Sequence, residues 1–210
     1  MTPLLAVFPY ASSHRSDLWI AIRTHLALSG AALGIGTAIG VAAGIFSAHN
    51  RFGPWVVALM NAARVVPSLA VLTFMLPLLG LGFAPSLVAL ALLACPPVLI
   101  NTDLGFRGVD AAIKEAAVGM GMRPLDVLRR IETPIALPVV IAGVRTAAVE
   151  VIASATLATF IGGGGLGDFI VRGLQNDDAA SLVLGAGCVA ALALMAEGLL
   201  SALQRATVAA

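Results

Sequence analysis

Polar and apolar positions in this chain fall into long blocks, without the short alternations of a soluble fold. Leu26 to Ala48 carries no charge for 23 residues, long enough to cross a bilayer with some tilt. Further apolar runs cover about Trp55 to Leu79, Ser86 to Ile100, Pro134 to Phe160 and Ala179 to Leu203. The pattern predicts an all-α, polytopic membrane protein with about five transmembrane helices. Ahead of the first run, His14 to His25 is amphipathic, with Leu18, Trp19 and Ile22 on one side and Arg15, Asp17 and Arg23 among the polar positions. It reads as a short interfacial helix, with Trp19 at the membrane–water boundary.

Breaks in the pattern set the connections. His49 to Pro54 and Gly80 to Pro85 read as turns. Pro96-Pro97 predicts a bend near the end of the third run. Gly30, Gly34, Gly36, Gly40 and Gly44 predict a glycine strip that permits close helix approach. Gly162, Gly163, Gly164, Gly165, Gly167 and Asp168 are too glycine-rich for a stable helix, and a polar tail follows to Asp178. This segment is no phosphate cradle: no Lys-Ser/Thr follows Gly167, and Asp168 would repel phosphate.

Residues 101–133 are densely charged and cannot lie in hydrocarbon. Asp110 suits the cap of a helix whose apolar positions are Ile113, Ala116, Ala117 and Met120, with Gly119 and Gly121 as its stop. Pro124 suits the first turn of a second short helix carrying Leu125, Leu128 and Ile131 on one side. Two short helices with small residues at their junction predict a compact foot instead of a solvated connector.

Composition agrees with a membrane protein. The hydrophobic share is 60 % and the charged share 11 %, against about 45–50 % and about 25 % in soluble domains. Mean hydropathy is +1.01. The net charge of +1, with dispersed basic residues, argues against a nucleic-acid partner. Cys95 and Cys188 lie in apolar runs and read as small buried hydrophobes. The first thirteen residues lack a basic stretch before the apolar patch, so no cleaved signal peptide is expected. The three histidines are scattered, and neither a metal cluster nor a nucleophile–base set emerges. No catalytic residue is assigned.

Basic residues orient the spans. With the amino terminus outside and the carboxyl terminus cytoplasmic, Arg51, Arg107, Lys114, Arg123, Arg129, Arg130 and Arg205 face the cytoplasm. Arg15, Arg23 and Arg172 face outward. That bias follows the positive-inside rule and makes 101–133 cytoplasmic. Arg64, Arg145 and Glu150 fall within spans, where an isolated charge costs at least about 2.5–3.5 kcal/mol. Each needs a partner or water. Residue counts put Arg145 closer than Glu150 to the depth of Arg64. The three line a wet path or fix helix packing.

Glu115-Ala116-Ala117, three residues, Gly121, nine residues, Ile131, one residue, then Thr133-Pro134 resembles the signature of ATP-binding cassette (ABC) importer permeases. Thr133 stands where leucine is usual. Val66-Pro67-Ser68-Leu69-Ala70, Pro77 to Gly82, Gly143 to Ala147, and Ala155 to Ala158 through Asp168 are similar to the glycine betaine/carnitine/choline permeases. The resemblance covers about residues 20–203.

It implies a type I ABC importer permease fold: a single permease domain over 1–210, with its core at 20–203 and a coupling region at 102–133. It further implies a bacterial inner-membrane subunit forming half of an osmoprotectant path. Its partners would be cytoplasmic ABC ATPase subunits, a second permease (identical or paralogous) and an extracytoplasmic substrate-binding protein. ATP-Mg would sit on the ATPase, with no cofactor on this chain. Glu115, Ala116, Ala117, Gly119, Gly121, Ile131 and Pro134 would form the ATPase-coupling region, and Gly162 to Asp168 an external bend facing the binding protein. Methionine or another small amino-acid-like solute is the alternative cargo. An ion-coupled secondary transporter, with midplane charges binding the ion, is the alternative class.

Overall fold

The computed structural model describes residues 3–208, and among these every regular element is helical. The chain begins with α1 (Pro3–Ser13) and α2 (Arg15–Ala48). The interfacial helix and first span expected separately are one 34-residue helix, about 51 Å long at about 1.5 Å per residue. It outreaches a hydrocarbon core of about 30 Å, so its amphipathic start, with Trp19 exposed, need not bend to stay at the interface.

The second apolar run is split into α3 (Gly53–Ala63) and α4 (Ser68–Leu79), which meet at 94°. Pro67 enforces the break: it lacks an N–H and holds an extended backbone (φ −59°, ψ 134°). Gly53 at the start of α3 lies against Ser47 and Arg107. Beyond α4, the Gly82 amide donates to the Ile161 carbonyl at the other end of the bundle (2.7 Å). The pair therefore crosses as one broken span.

Helix α5 (Phe83–Arg107) runs seven residues beyond the expected limit at Ile100. Pro96 and Pro97 sit inside it and do not end it, because neighbouring helices bury both. The start of 101–133 is thus part of a spanning helix, a correction to the reading of the whole segment as a foot. After α6 (Ala111–Gly119) come α7 (Pro124–Val127), a π-helical turn over Leu128–Glu132, and α8 (Thr133–Ser154), without interruption. A 3₁₀ segment, Ala155–Ile161, ends this helix. The tail expected after the glycine run is a helix, α9 (Gly167–Gln175), followed by α10 (Ala179–Val208).

The core lies where α2, α5 and α8 meet, around Leu28, Leu90, Ala94, Val98 and Val151. Only part of the expected glycine strip serves it. A methyl group at Gly36 would strike Ala94, one at Gly40 would lie 2.8 Å from Val98 Cβ, and one at Gly44 would lie 2.5 Å from Thr102 Cβ. Gly30 and Gly34 face open space. From Gly34 to Gly36 the step is only two residues, about 200° around a helix of 3.6 residues per turn, so Gly36, Gly40 and Gly44 face α5 while Gly30 and Gly34 point away from it.

A substitution pair separates these roles. Gly40→Ala overpacks the α2–α5 contact and is expected to cost about 1–3 kcal/mol, lowering the thermal unfolding midpoint in detergent. Gly34→Ala is expected to leave that midpoint unchanged or raise it.

Candidate functional site

The foot is built from local signals. Asp110 Oδ1 accepts from the Ala112 amide at 2.9 Å and caps α6. Gly119 lies inside the helix, and the stop falls at Gly121, whose φ of +83° suits glycine. Pro124 occupies the first turn of α7 as expected.

The second short helix expected around Leu125, Leu128 and Ile131 is instead the first part of the long α7–α8 rod. Pro134 has no amide to offer the Arg130 carbonyl. The ladder widens there into the π turn, and Thr133 Oγ1 donates to the Leu128 carbonyl at 2.7 Å. Thr133, the departure from the resembled signature, thus supplies a hydroxyl at the turn.

Two carboxylates tie this end together. Glu132, 4 % exposed, receives His49 Nε2 at 2.8 Å and faces Lys114 Nζ at 3.5 Å. One side chain so links α6, the α7–α8 rod and the end of α2. Asp103 accepts from Ser47 Oγ (2.6 Å) and Arg107 Nε (2.8 Å), and Arg107 Nη2 donates to the Ser47 carbonyl (2.7 Å). Removing one partner of a buried ion pair costs far more than an exposed one. Neither acid stood out in sequence, although Asp103 and Arg107 are spaced four apart, as helix ion pairs are.

The outer surface of the foot is apolar. Ile113, Val118, Met120 and Leu125 are exposed, as are Glu115 and Ala116, whereas Ala117 is buried against the rod. An open groove of about 710 Å³, lined by Phe46, Val118, Leu125 and Leu128 among others, lies between the foot and α2.

The charges within the spans sort into two kinds. Arg145 Nη2 lies 2.6 Å from Glu197 Oε1 on α10, and Nη1 donates to Gln204 at 2.7 Å. Gln204 in turn donates to the Pro138 carbonyl. Arg145 thus contacts α10, not Arg64. Five residues on a helix turn through about 140°, so Arg145 and Glu150 point to different neighbours. Depth along the span does not fix that angle, and Glu197 lies 52 positions further along the chain. Arg64 and Glu150 face one cavity of about 290 Å³ at the α3–α4 break, without a direct ion pair.

At the opposite end, the 3₁₀ segment ends in Gly162, and Gly162, Gly164 and Gly165 all take positive φ (77°, 70° and 99°). Gly165 backs directly onto His25, which is fully buried and donates through Nε2 to the Ile152 carbonyl (3.1 Å). Gly163 abuts Ser86 and Ala158. Gly167 opens α9, and Asp168 accepts from Thr159 Oγ1 at 2.7 Å. The glycine segment is a packed turn joining α2, α5 and α8, not a loose loop.

Comparison with known proteins agrees with this architecture. The family model described as "Binding-protein-dependent transport system inner membrane component" matches residues 2–208. The chain is 36 % identical over 200 residues to the choline transport system permease protein OpuBB of Bacillus subtilis, covering 95 % of this chain and 92 % of that one. It is 39 % identical to the carnitine transport permease protein OpuCB of Listeria monocytogenes, with the same coverage. With the glycine betaine/carnitine/choline transport system permease protein OpuCB of Bacillus subtilis it shares 38 % over 182 residues, covering 86 % and 84 %.

Among solved structures, the MetNI methionine ABC transporter in an inward-facing conformation superposes with a TM-score of 0.82 at 20 % identity, covering 93 % of this chain and 98 % of that one. An amino acid ABC transporter crystallised with histidines gives 0.78 at 18 % identity, covering 94 % and 97 %. The fold is that of ABC importer permeases, and the chain belongs to the binding-protein-dependent transport system inner membrane component family, whose members are transport components of the inner membrane.

The cap on α6 has a direct test. Asp110→Ala is expected to cost about 1 kcal/mol of helix stability and to raise amide exchange at Ala112 to Lys114 roughly fivefold, read by hydrogen–deuterium exchange. Amides in the core of α8 are expected to stay protected.

Proposed function

We propose that this member of the binding-protein-dependent inner membrane component family forms half of the path through an ATP-driven importer of small osmoprotectants such as glycine betaine, choline or carnitine. The substrate class is supported by relatives named for those three solutes and matched over most of both chains. The likeness to the methionine transporter carries the fold alone.

The observation that carries the mechanism is the foot: an exposed apolar surface bound through Glu132 to two spanning helices. A partner ATPase binds ATP-Mg and hydrolyses it, and this chain receives the motion. Ile113, Val118 and Met120 offer the apolar contact, Ala116 permits close approach, and Glu115 presents a charge to basic groups of the partner. Gly121 fixes the angle of α6. The rod through Ile131 and Pro134 transmits the push.

The foot faces the cytoplasm, with the amino terminus outside and the carboxyl terminus inside. The packed turn at Gly162 to Asp168 then lies outside, facing a substrate-binding protein. A second permease subunit completes the path. Arg64 and Glu150 line it, while Arg145 holds α8 to α10. Closing the ATPases pulls α8 and α2 together through Glu132, and the α3–α4 break lets the path wall rearrange. Such a cycle needs two packings of similar free energy.

Reconstitution with the ATPase and the binding protein tests the reading. Labelled glycine betaine, choline or carnitine is expected to enter liposomes only with ATP on the ATPase side, and to do so after ionophores have collapsed ion gradients. Glu115→Arg is expected to reduce ATP-driven uptake by about tenfold, the effect of about 1.4 kcal/mol lost at a docking contact. Uptake driven by an ion gradient without ATP, or transport of none of the three solutes, would contradict the proposal.

A further inference from the structure

We infer that the cavity between Arg64 and Glu150 is a binding site for a zwitterionic quaternary ammonium solute, Arg64 taking its carboxylate and Glu150 its cationic end. The inference rests on the osmoprotectant reading above and adds a site and a preference within that class.

Three observations carry it. First, the two charges share one cavity yet form no direct ion pair. Where this chain uses a charge pair only for packing, the groups close on one another, as Arg145 and Glu197 do at 2.6 Å. Arg64 is exposed and Glu150 half-buried in this chain, and in a spanning region each retains the cost of a charge without the compensating contact. A ligand carrying both opposite charges supplies the missing partners to each at once.

Second, the size and lining fit. The cavity is about 290 Å³, room for about ten water molecules and near the lower end of ligand pockets. Apart from the two charges it is walled by apolar groups, among them Met60, Val66, Val71 and Leu93. Such walls suit the methyl groups of a quaternary ammonium, which has no N–H to satisfy.

Third, the backbone hydrogen-bond ladder beside the cavity is incomplete on both sides. On one side lies the 94° break between α3 and α4. On the other, Pro96 and Pro97 have no amides, so the carbonyls of Leu92 and Leu93 lack their usual helical donors. Leu92, Leu93 and Pro96 all line the cavity. Freed carbonyl dipoles beside a carboxylate favour a cation, and the α3–α4 break is an interrupted helix of the kind that recurs at such sites.

Glycine betaine and carnitine carry both charges and engage both residues. Choline has the ammonium but no carboxylate, so it leaves Arg64 unmatched.

The test is equilibrium binding of labelled glycine betaine and labelled choline to the purified permease–ATPase complex, without binding protein, by scintillation proximity. Glycine betaine is expected to bind at least about tenfold more tightly than choline, the worth of about one charge-assisted contact. Arg64→Gln is expected to bring that ratio close to one, and Arg64→Lys to preserve most of it. Glu150→Gln is expected to weaken both solutes. The betaine-to-choline ratio is internal to each preparation, so partial loss of folded protein does not move it.

Equal affinities in the unaltered complex, or a ratio that survives Arg64→Gln, would overturn the inference. Absence of binding by a complex that still imports these solutes would overturn this site and leave the osmoprotectant reading standing. Absence of both binding and import would overturn the two together.

Discussion

A single buried carboxylate, Glu132, carries the mechanical logic of this chain. It is almost inaccessible, yet it meets Lys114 from the foot helix and His49 from the end of the first long span. An unpaired carboxylate at such a position would be costly, so foot and spans are held in one arrangement. The π turn beside it adds to the effect. Because Pro134 widens the ladder without breaking it, α7 and α8 form one rod that ends at the foot. Under the proposed coupling, a push on α6 would thereby reach the membrane-spanning part instead of being absorbed in a loop.

A second constraint acts inside the bilayer, where backbone and charge must be satisfied without water. Small residues meet it on one side: Gly36, Gly40 and Gly44 bring α2 onto α5, and the Arg145–Glu197–Gln204 set joins α8 to α10. The α3–α4 break and the Arg64–Glu150 cavity lie where this close packing stops. Rigid packing on one side and interrupted helix on the other is the division expected of a path that must open and close while its frame persists.

Much of this was legible in the sequence because the signals are local. Five apolar runs mark the spans, and Asp110 and Gly121 bracket the foot helix. What escaped depends on angle and on distant partners. Residue counts along a span give depth but not direction, so the match in depth between Arg145 and Arg64 does not reveal that Arg145 faces Glu197. Gly30 and Gly34 read like Gly40, although only the last meets another helix. Pro96-Pro97 and Pro134 read as a bend and a helix start. Buried neighbours, and the π turn, instead carry the helices through. Glu132 is one acid among several in a charged stretch, and only the fold brings His49 to it from 83 positions away.

The most direct test of the rigid-foot mechanism is a pair of spin-label distances in the assembled transporter. One joins Ala111 on the foot to Thr146 on α8, and the other joins Ala111 to Phe74 on α4. Between nucleotide-free and ATP-bound states, the first distance is expected to stay within the width of its distribution while the second shifts. A foot that moves against α8 while its distance to α4 is kept would contradict the account.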